Sequence, residues 1–219
     1  MLVFESDHEL GIASTAVLGG GLSRGRCIVS IRVPRGYAGD DPADDIRRAA
    51  RAAGWEPDIG LMTAADLECV RVAAAAAAGV TAIAALTVSV ARPWAAGSSR
   101  GPHPSAGTIN AVVFLDRNLA PAAALNVLTT VTEAKVLALL EAGVQTPDAE
   151  PASGTATDAV VIGWPLSGLP LPFGGPATAP GWAAAAAVRQ AMREALCAGG
   201  SGGGRASPGR REWGESPHD

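Results

Sequence analysis

The sequence predicts an α+β fold in a single domain, with a mixed or antiparallel sheet packed by one long helix and a C-terminal helix. Short runs of β-branched and aliphatic residues recur along the chain, and the strongest is Thr108–Leu115 (TINAVVFL). Two longer stretches, residues 119–142 and 181–197, are rich in the helix formers alanine and leucine. Strands and helices follow one another without a regular strand–helix–strand alternation, which favours the α+β class.

The first quarter of the chain is predicted to hold two strands and one helix. The strands are expected at residues 12–17 and 27–33, and the second is rich in β-branched residues. The helix is expected to begin after Asp41, a capping residue followed by a proline and two acidic residues, and to end at Gly54. The acidic start and the glycine stop are typical of helix termini.

An uncharged, alanine-rich segment follows. We expect strands at residues 67–72 and 80–90, with the alanine run 73–78 and Gly79 between them. Residues 73–91 are long enough to cross a membrane, but they consist mainly of Ala, Thr, Ser and Gly. Membrane spans rely on Leu, Ile, Phe and Val instead, so no span is expected here.

The second half of the chain ends in a segment that differs in composition from the rest. The long helix is expected to be capped by Asn118, with Pro121 in its first turn, and a short strand is expected at residues 159–162. Residues 198–219 are dominated by Gly, Ser, Pro and charged residues, which predicts a disordered tail. The folded domain is therefore expected to span residues 1–197.

The bulk composition excludes several classes of function. The 219 residues carry a net charge of −4, which argues against phosphate-backbone binding and against an electrostatic membrane anchor. Cys27, Cys69 and Cys197 form no CxxC pair, and the three histidines are scattered, so neither a disulfide framework nor a resident metal is expected. The N-terminus lacks the pattern of a secretory signal. The expected compartment is the reducing cytoplasm.

The long helix carries the most informative polar pattern. At 100° per residue, one stripe is apolar and is expected to face the core, and a polar stripe lies beside it. The apolar stripe comprises Leu125, Leu128, Thr132, Val136 and Leu139, and the polar stripe comprises Asn126, Thr129, Thr130 and Glu133. Glu133 is therefore a candidate general base or amide clamp, or else part of an exposed flank. Lys135 lies on the far side, as an edge residue or as the partner of an acid on another element.

Three further clusters combine small residues with polar side chains. In the segment GTATD, Asp158 with Thr155 and Thr157 either holds a water or substrate amide or only caps a turn. In the segment GTIN, Thr108 and Asn110 can clamp an amide.

The third cluster lies near the N-terminus. Ser14, ahead of a triple glycine, is a candidate nucleophile, and the backbone amides of Gly20 and Gly21 are candidate oxyanion donors. A tight turn is the alternative reading of these glycines.

These motifs together resemble the adenosylcobinamide amidohydrolase family. The resemblance rests on their order, namely STA with LGGGL, then GLMTA, GTIN, TEAK and GTATD, and it runs from about Ser14 to the last helix. It adds Thr63 of GLMTA and Lys135 of TEAK to the candidate substrate-binding residues, beside Thr130. The segment after Thr87 and the loop at residues 172–176 depart from the family pattern.

The resemblance implies a reaction on a corrinoid. Members of the family hydrolyse the amide that joins the aminopropanol arm to the corrin ring of adenosylcobinamide, which yields adenosylcobyric acid for salvage into cobamide synthesis. The corrinoid brings its own cobalt as part of the substrate, so no cofactor is expected. A non-catalytic corrinoid-binding protein and an amidohydrolase of an unrelated amide are the alternatives.

Three mechanisms are compatible with the sequence. In the first, Glu133 or Asp158 activates a water molecule. In the second, Ser14 is a covalent nucleophile. In the third, Thr108 is a nucleophile that is exposed when the chain cleaves itself after Gly107.

Overall fold

The computed structural model describes residues 1–98 and 107–199, and within them a single mixed sheet organises the chain. The strands are β1 (Leu2–Ser14), β2 (Gly21–Arg32), β3 (Ile59–Thr63), β4 (Arg71–Ala77), β5 (Val80–Ser89), β6 (Thr108–Leu115) and β7 (Ala159–Pro165). The helices are α1 (Pro42–Ala52), α2 (Pro121–Glu141) and α3 (Ala179–Gly199). The sheet order is β3-β2-β1-β7-β6-β5-β4, in which β2–β3 and β6–β7 are parallel and the other pairs antiparallel. The predicted α+β class and mixed sheet are confirmed.

Two helices connect the parallel strand pairs. Helix α1 leads from β2 to β3, and α2 leads from β6 to β7, so each makes a crossover between parallel neighbours. Helix α1 begins as predicted, because the Asp41 side chain accepts a hydrogen bond from Asp44 N at 2.9 Å. Strand β3 was not predicted, since its sequence IGLMT contains a glycine and few β-branched residues.

The start of α2 differs from the prediction in one respect. Pro121 occupies the first turn as expected, but the N-cap is Ala120 and makes no side-chain hydrogen bond. Asn118 instead donates from Nδ2 to the carbonyls of Leu166 and Gly168, at 3.2 and 2.9 Å. It therefore fixes the loop after β7 rather than the helix terminus.

The alanine run forms a strand and not a connection, which corrects the prediction. A short 3₁₀ helix at Leu67–Cys69 replaces the predicted strand at residues 67–72, and β4 begins at Arg71. The run pairs antiparallel with β5 across a tight turn at Ala78 and Gly79. Both turn residues have positive φ, 45° and 78°, as the favoured two-residue hairpin turns require.

The sheet curls strongly along its length. Three strands separate β3 from β6 in the sheet, yet the Asn110 side chain on β6 donates to the Met62 carbonyl on β3 at 2.8 Å. Helices α2 and α3 cover one face of the sheet, and the largest core cluster lies beneath them. The opposite, concave face holds a second cluster that comprises Ile12, Ile28, Ile59, Leu61, Val112 and Val161. Helix α1 covers a third cluster on β2.

The buried face of α2 shares only Leu139 with the predicted stripe, and Leu128 is partly buried against the core. Leu125, which was expected in the core, is 48% exposed, whereas Val127, Thr130 and Lys135 are buried. Small residues allow α2 to approach the sheet closely, and α3 covers part of its remaining surface. By length and composition α2 could cross a membrane, but half of its most apolar window is buried in the structure, as in an internal helix of a folded domain.

The C-terminal helix is slightly longer than predicted. It runs from Ala179 to Gly199, so residues 198 and 199 of the predicted tail belong to α3. The rest of that tail lies outside the described residues.

Candidate active site

A cleft of about 680 Å³ opens on the concave face of the sheet. Its floor is formed by the starts of β6 and β7 and by the end of β3, and the loop between β2 and α1 closes one side. Side chains alternate along a strand, so Thr108, Asn110 and Val112 of β6 all face this side while Ile109 and Ala111 face α2 and α3. The predicted residues that line the cleft are Thr63, Thr108, Asn110, Thr157 and Asp158.

Two threonine hydroxyls and one backbone carbonyl form a chain of hydrogen bonds at the edge of the cleft. Thr157 Oγ1 donates to the Gly107 carbonyl at 2.9 Å and lies 2.8 Å from Thr108 Oγ1. A hydroxyl group has one proton to donate, so the hydroxyl of Thr108 donates to that of Thr157. The chain therefore runs from Thr108 through Thr157 to the carbonyl of the peptide bond that precedes Thr108.

Asn110 presents an unused acceptor beside these hydroxyls. The side chain is 3% exposed, and its Nδ2 donates to the Met62 carbonyl. Its Oδ1 is buried and has no hydrogen-bond partner among the described residues. A buried polar atom without a partner is costly, which favours a ligand N–H at this position. The predicted clamp thus has its acceptor side free and its donor side occupied.

Asp158 is held by four hydrogen bonds. Its Oδ1 accepts from Ile109 N at 2.9 Å and from Thr155 Oγ1, and its Oδ2 accepts from Lys135 Nζ at 2.6 Å and Thr155 N at 3.1 Å. A carboxylate has about four lone-pair positions, so these donors occupy its capacity. Asp158 therefore anchors the start of β6 and its own turn, and no lone pair remains for a reacting water molecule.

Lys135 reaches Asp158 from α2, which matches the second of the two roles predicted for it. The two side chains are only 9% and 11% exposed. Gly154 makes room for the pair, because a Cβ atom there would lie 2.4 Å from Asp158 Oδ2 and 2.8 Å from Lys135 Nζ. The glycine of GTATD is thus required by close packing.

The other titratable groups of the cleft lie in the loop between β2 and α1, which the sequence analysis did not single out. They are Arg35 and Tyr37. Tyr37 donates from Oη to Asp45 Oδ2 at 2.5 Å, and this hydrogen bond raises the pKa of Tyr37 to about 12 and lowers the pKa of Asp45. A guanidinium remains protonated in proteins, and a phenol with so high a pKa does not exchange protons readily near neutrality.

Glu133 does not join this site, which corrects its grouping with Asp158. It is exposed and lines a separate depression between α2 and α3, together with Thr130, Trp182 and Arg189. Two residues advance a helix by 200°, so Glu133 and Lys135 point to opposite sides of α2. Thr130 is buried beside that depression and donates to the Gly174 carbonyl at 3.4 Å, away from the cleft.

The N-terminal candidates also lie outside the lining of the cleft. Ser14 is buried in β1, and its Oγ accepts from Ala16 N at 2.9 Å. Gly20 immediately precedes β2, and Gly21 is the first residue of that strand, where it pairs with Ser14. Thr15, the neighbour of Ser14, lines the cleft instead.

Aliphatic residues and Tyr37 form the apolar wall of the cleft. Its lining includes Val17, Val33, Leu61 and Met62. Trp164 is buried against Gly11, where a Cβ would lie 2.4 Å from the indole. Leu61 and Met62 belong to β3, the strand that was not predicted. Among the described residues, no group of three or more His, Cys, Asp and Glu side chains is placed to hold a metal ion.

Comparison with known proteins gives one family. The model of the family described as adenosylcobinamide amidohydrolase (CbiZ) matches residues 1–201. The chain is 33% identical over 186 residues to an adenosylcobinamide amidohydrolase of Halobacterium salinarum, covering 81% of this chain and 76% of that protein. It is also 33% identical over 164 residues to an adenosylcobinamide amidohydrolase of Methanosarcina mazei, covering 74% and 72%.

One solved structure is more distantly similar to this chain. A β-aminopeptidase of Burkholderia sp. matches with a TM-score of 0.42 and 14% identity, over 86% of this chain and 73% of that one.

Proposed function

The chain belongs to the adenosylcobinamide amidohydrolase family, and from this premise we propose that it hydrolyses the amide between the aminopropanol arm and the corrin ring of adenosylcobinamide. The proposed products are adenosylcobyric acid and the free aminopropanol arm. The class of enzyme, an amide-hydrolysing one, follows from the family and from both curated relatives. The observation that carries the specific reaction is that Asn110, whose Oδ1 has no hydrogen-bond partner among the described residues, lines the same cleft as Thr108.

The scissile amide is proposed to enter the cleft with its N–H toward Asn110. That amide has one N–H donor and one carbonyl acceptor, and the free Oδ1 of Asn110 complements the donor. Thr108 is two residues earlier on the same face of β6, so its hydroxyl faces the same amide. The Nδ2 bond to Met62 holds the Asn110 amide in this orientation before the substrate arrives.

The corrin ring is proposed to remain at the mouth of the cleft. A corrin is a broad, flat, amphipathic ring, and the cleft is of the size that takes one side arm of such a molecule. Val17, Val33 and Tyr37 line the cleft and offer apolar surface to the ring. The cobalt of the corrinoid belongs to the substrate, and no resident cofactor is proposed.

A product assay tests the proposed reaction. The full chain is incubated with adenosylcobinamide, and the corrinoids are separated and weighed by mass spectrometry. Formation of adenosylcobyric acid supports the proposal. Tight binding without product supports a corrinoid-binding protein instead, and turnover of other amides that cobinamide does not inhibit supports an unrelated amidohydrolase.

The proposed role is salvage of scavenged cobinamide in the cytoplasm. A cell that can use cobyric acid but cannot otherwise process cobinamide should grow on cobinamide only when it produces this chain. Growth without the chain, or no growth with it despite measured hydrolysis, would contradict the salvage role while leaving the reaction intact.

A further inference from the structure

The described residues that line the cleft offer substrate-binding groups, but none of their side chains is suited to act as a base. Among its described lining residues, the titratable ones are Arg35, Tyr37 and Asp158. The Arg35 guanidinium offers only donors, the pKa of Tyr37 is raised to about 12, and the four hydrogen bonds of Asp158 occupy its lone pairs. Amide hydrolysis by a hydroxyl needs a base within hydrogen-bond reach. The base must therefore come from another group at the cleft.

The hydrogen-bond chain at Thr108 points to the source of that base. Thr108 Oγ1 donates to Thr157 Oγ1 at 2.8 Å, and Thr157 Oγ1 donates to the Gly107 carbonyl at 2.9 Å. The acceptor is the carbonyl that a Thr108 hydroxyl attacks when it displaces its own backbone nitrogen through a five-membered ring. The same chain takes the proton from the attacking oxygen and delivers one to the carbonyl oxygen that becomes negative.

We propose that the chain cleaves its own backbone between Gly107 and Thr108, and that the new N-terminal Thr108 is the nucleophile of amide hydrolysis. The second half of this proposal rests on the proposed function, whereas the first half does not. Cleavage gives Thr108 a free α-amine, whose ordinary pKa is about 8. An N-terminal amine beside a threonine hydroxyl is a known arrangement of base and nucleophile.

The cleavage consumes one water molecule. Thr108 Oγ1 bonds to the Gly107 carbonyl carbon, its proton passes to Thr157, and the Thr157 proton passes to the carbonyl oxygen. The carbon–nitrogen bond then breaks as that proton moves to the Thr108 nitrogen, which leaves an ester and a free amine. Water hydrolyses the ester, so its hydroxyl joins Gly107 as a carboxyl group and its remaining proton returns to Thr108 Oγ1.

The mature reaction uses the same oxygen. Thr108 Oγ1 attacks the substrate carbonyl carbon while the α-amine takes its proton, and the α-ammonium then protonates the departing aminopropanol nitrogen. The acyl group remains on Thr108 Oγ1 as an ester. A water molecule, deprotonated by the α-amine, attacks the ester carbonyl, and the α-ammonium returns that proton to Thr108 Oγ1 as the corrinoid acid leaves.

The surrounding structure suits a cut at this bond. Gly107 has a φ of 156°, and a Cβ there would lie 3.2 Å from the Ser89 carbonyl oxygen and 3.3 Å from Thr155, so there is little room for a side chain at the residue before the cut. Strand β6 lies between β5 and β7, with Ser89 opposite Thr108, so the sheet holds the new terminus in place. Asp158 Oδ1 fixes the following peptide through Ile109 N at 2.9 Å.

Intact-mass measurement of the purified full chain tests the first half. We expect two fragments, residues 1–107 and 108–219, whose masses sum to that of the whole chain plus one water and which co-elute on gel filtration. Any uncut protein should convert in buffer at a rate independent of protein concentration. A single uncut chain that hydrolyses adenosylcobinamide would overturn this inference and leave the proposed function standing. A cleaved chain without that activity would support the cleavage and overturn the proposed function.

Four variants separate the chemistry from folding. T108S should cleave itself and retain activity, whereas T108V should stay uncut and lose activity by at least a hundredfold. T157V should slow cleavage at least tenfold, and the matched control T129V, at an exposed position on α2 whose hydroxyl contacts only its own helix, should cleave normally. Circular dichroism establishes that each variant is folded. Cleavage of T108V at the same bond, or full activity of folded T108V, would overturn the proposal. Cleavage of folded T157V at the normal rate would also overturn it.

Discussion

Lys135 Nζ and Asp158 Oδ2 lie 2.6 Å apart, and this ion pair joins α2 to the turn that precedes β7. Both side chains are about nine-tenths buried. Asp158 also accepts the backbone N–H of Ile109, so the pair ties the long helix to the start of β6, where the candidate nucleophile stands. The position of Thr108 in the cleft therefore depends on a charge contributed by the far side of the sheet.

Removal of the lysine charge should destabilise the fold strongly. K135M leaves the Asp158 carboxylate buried without its counter-ion, and a loss of about 3 kcal/mol in the free energy of unfolding is expected for a broken buried pair. Urea denaturation measures it. The control is R48M, which removes the solvent-accessible ion pairs of Arg48 with Asp44 and Asp45 on α1 and should change stability by less than about 1 kcal/mol. Equal losses in the two variants would contradict the structural role of the Lys135–Asp158 pair.

A methyl group at Gly154 should disturb the same pair sterically. In G154A the new Cβ would lie 2.4 Å from Asp158 Oδ2, closer than atoms in a folded protein allow, so Asp158 or the turn must move. We expect a loss of about 2 kcal/mol in the free energy of unfolding, the middle of the range for overpacked sites. G175A, where a Cβ would meet nothing within 4 Å, is the matched control and should be close to neutral. A G154A protein as stable as G175A would be inconsistent with the tight packing at Gly154.

The sequence predicted local features of this fold better than long-range ones. The cap of α1 by Asp41 and the strand β6 were predicted from adjacent residues, because capping and β-branched runs act locally. The alanine run 73–77 was not predicted as a strand, since its conformation is set by pairing with β5 across the turn at Ala78. Intrinsic propensity is a weak guide where such pairing decides.

In the candidate site, too, local features were predicted better than long-range contacts. The motifs GTIN and GTATD were recognised, and the structure brings Thr108, Asn110, Thr157 and Asp158 to one cleft. Glu133 was misplaced because the helix pattern alone does not say which face α3 covers. The saturation of Asp158 depends on donors from α2 and β6, far from it in sequence, so the sequence could not separate an anchoring carboxylate from a reactive one.

The loop beside the cleft should respond to pH through Tyr37 and Asp45. Their hydrogen bond lowers the pKa of Asp45, so its stabilisation is present above about pH 4 and is lost as the pH falls through the lowered value. It raises the pKa of Tyr37 to about 12, so the stabilisation is present below about pH 10 and is lost as the pH rises toward that value. Tm should therefore be higher for the native chain than for Y37F between about pH 5 and 9, with the difference shrinking outside that window. A difference that is constant from pH 3 to about 11 would contradict the bond.

Asn110 should contribute to the reaction with substrate and not only to the stability of the sheet. N110A removes the free Oδ1 that we propose accepts the scissile N–H, and a hydrogen bond lost at a buried site costs about 1–3 kcal/mol, so kcat/KM should fall by about 5- to 150-fold. The matched control is T87V. Thr87 lies directly opposite Asn110 on β5 and also has a buried side-chain oxygen without a partner among the described residues, but it does not line the cleft. T87V should keep full activity and should raise the free energy of unfolding by up to about 1 kcal/mol, since an apolar group of the same shape replaces an unsatisfied hydroxyl. Full activity of folded N110A, or an equal loss in T87V, would show that the free oxygen of Asn110 does not bind the substrate amide.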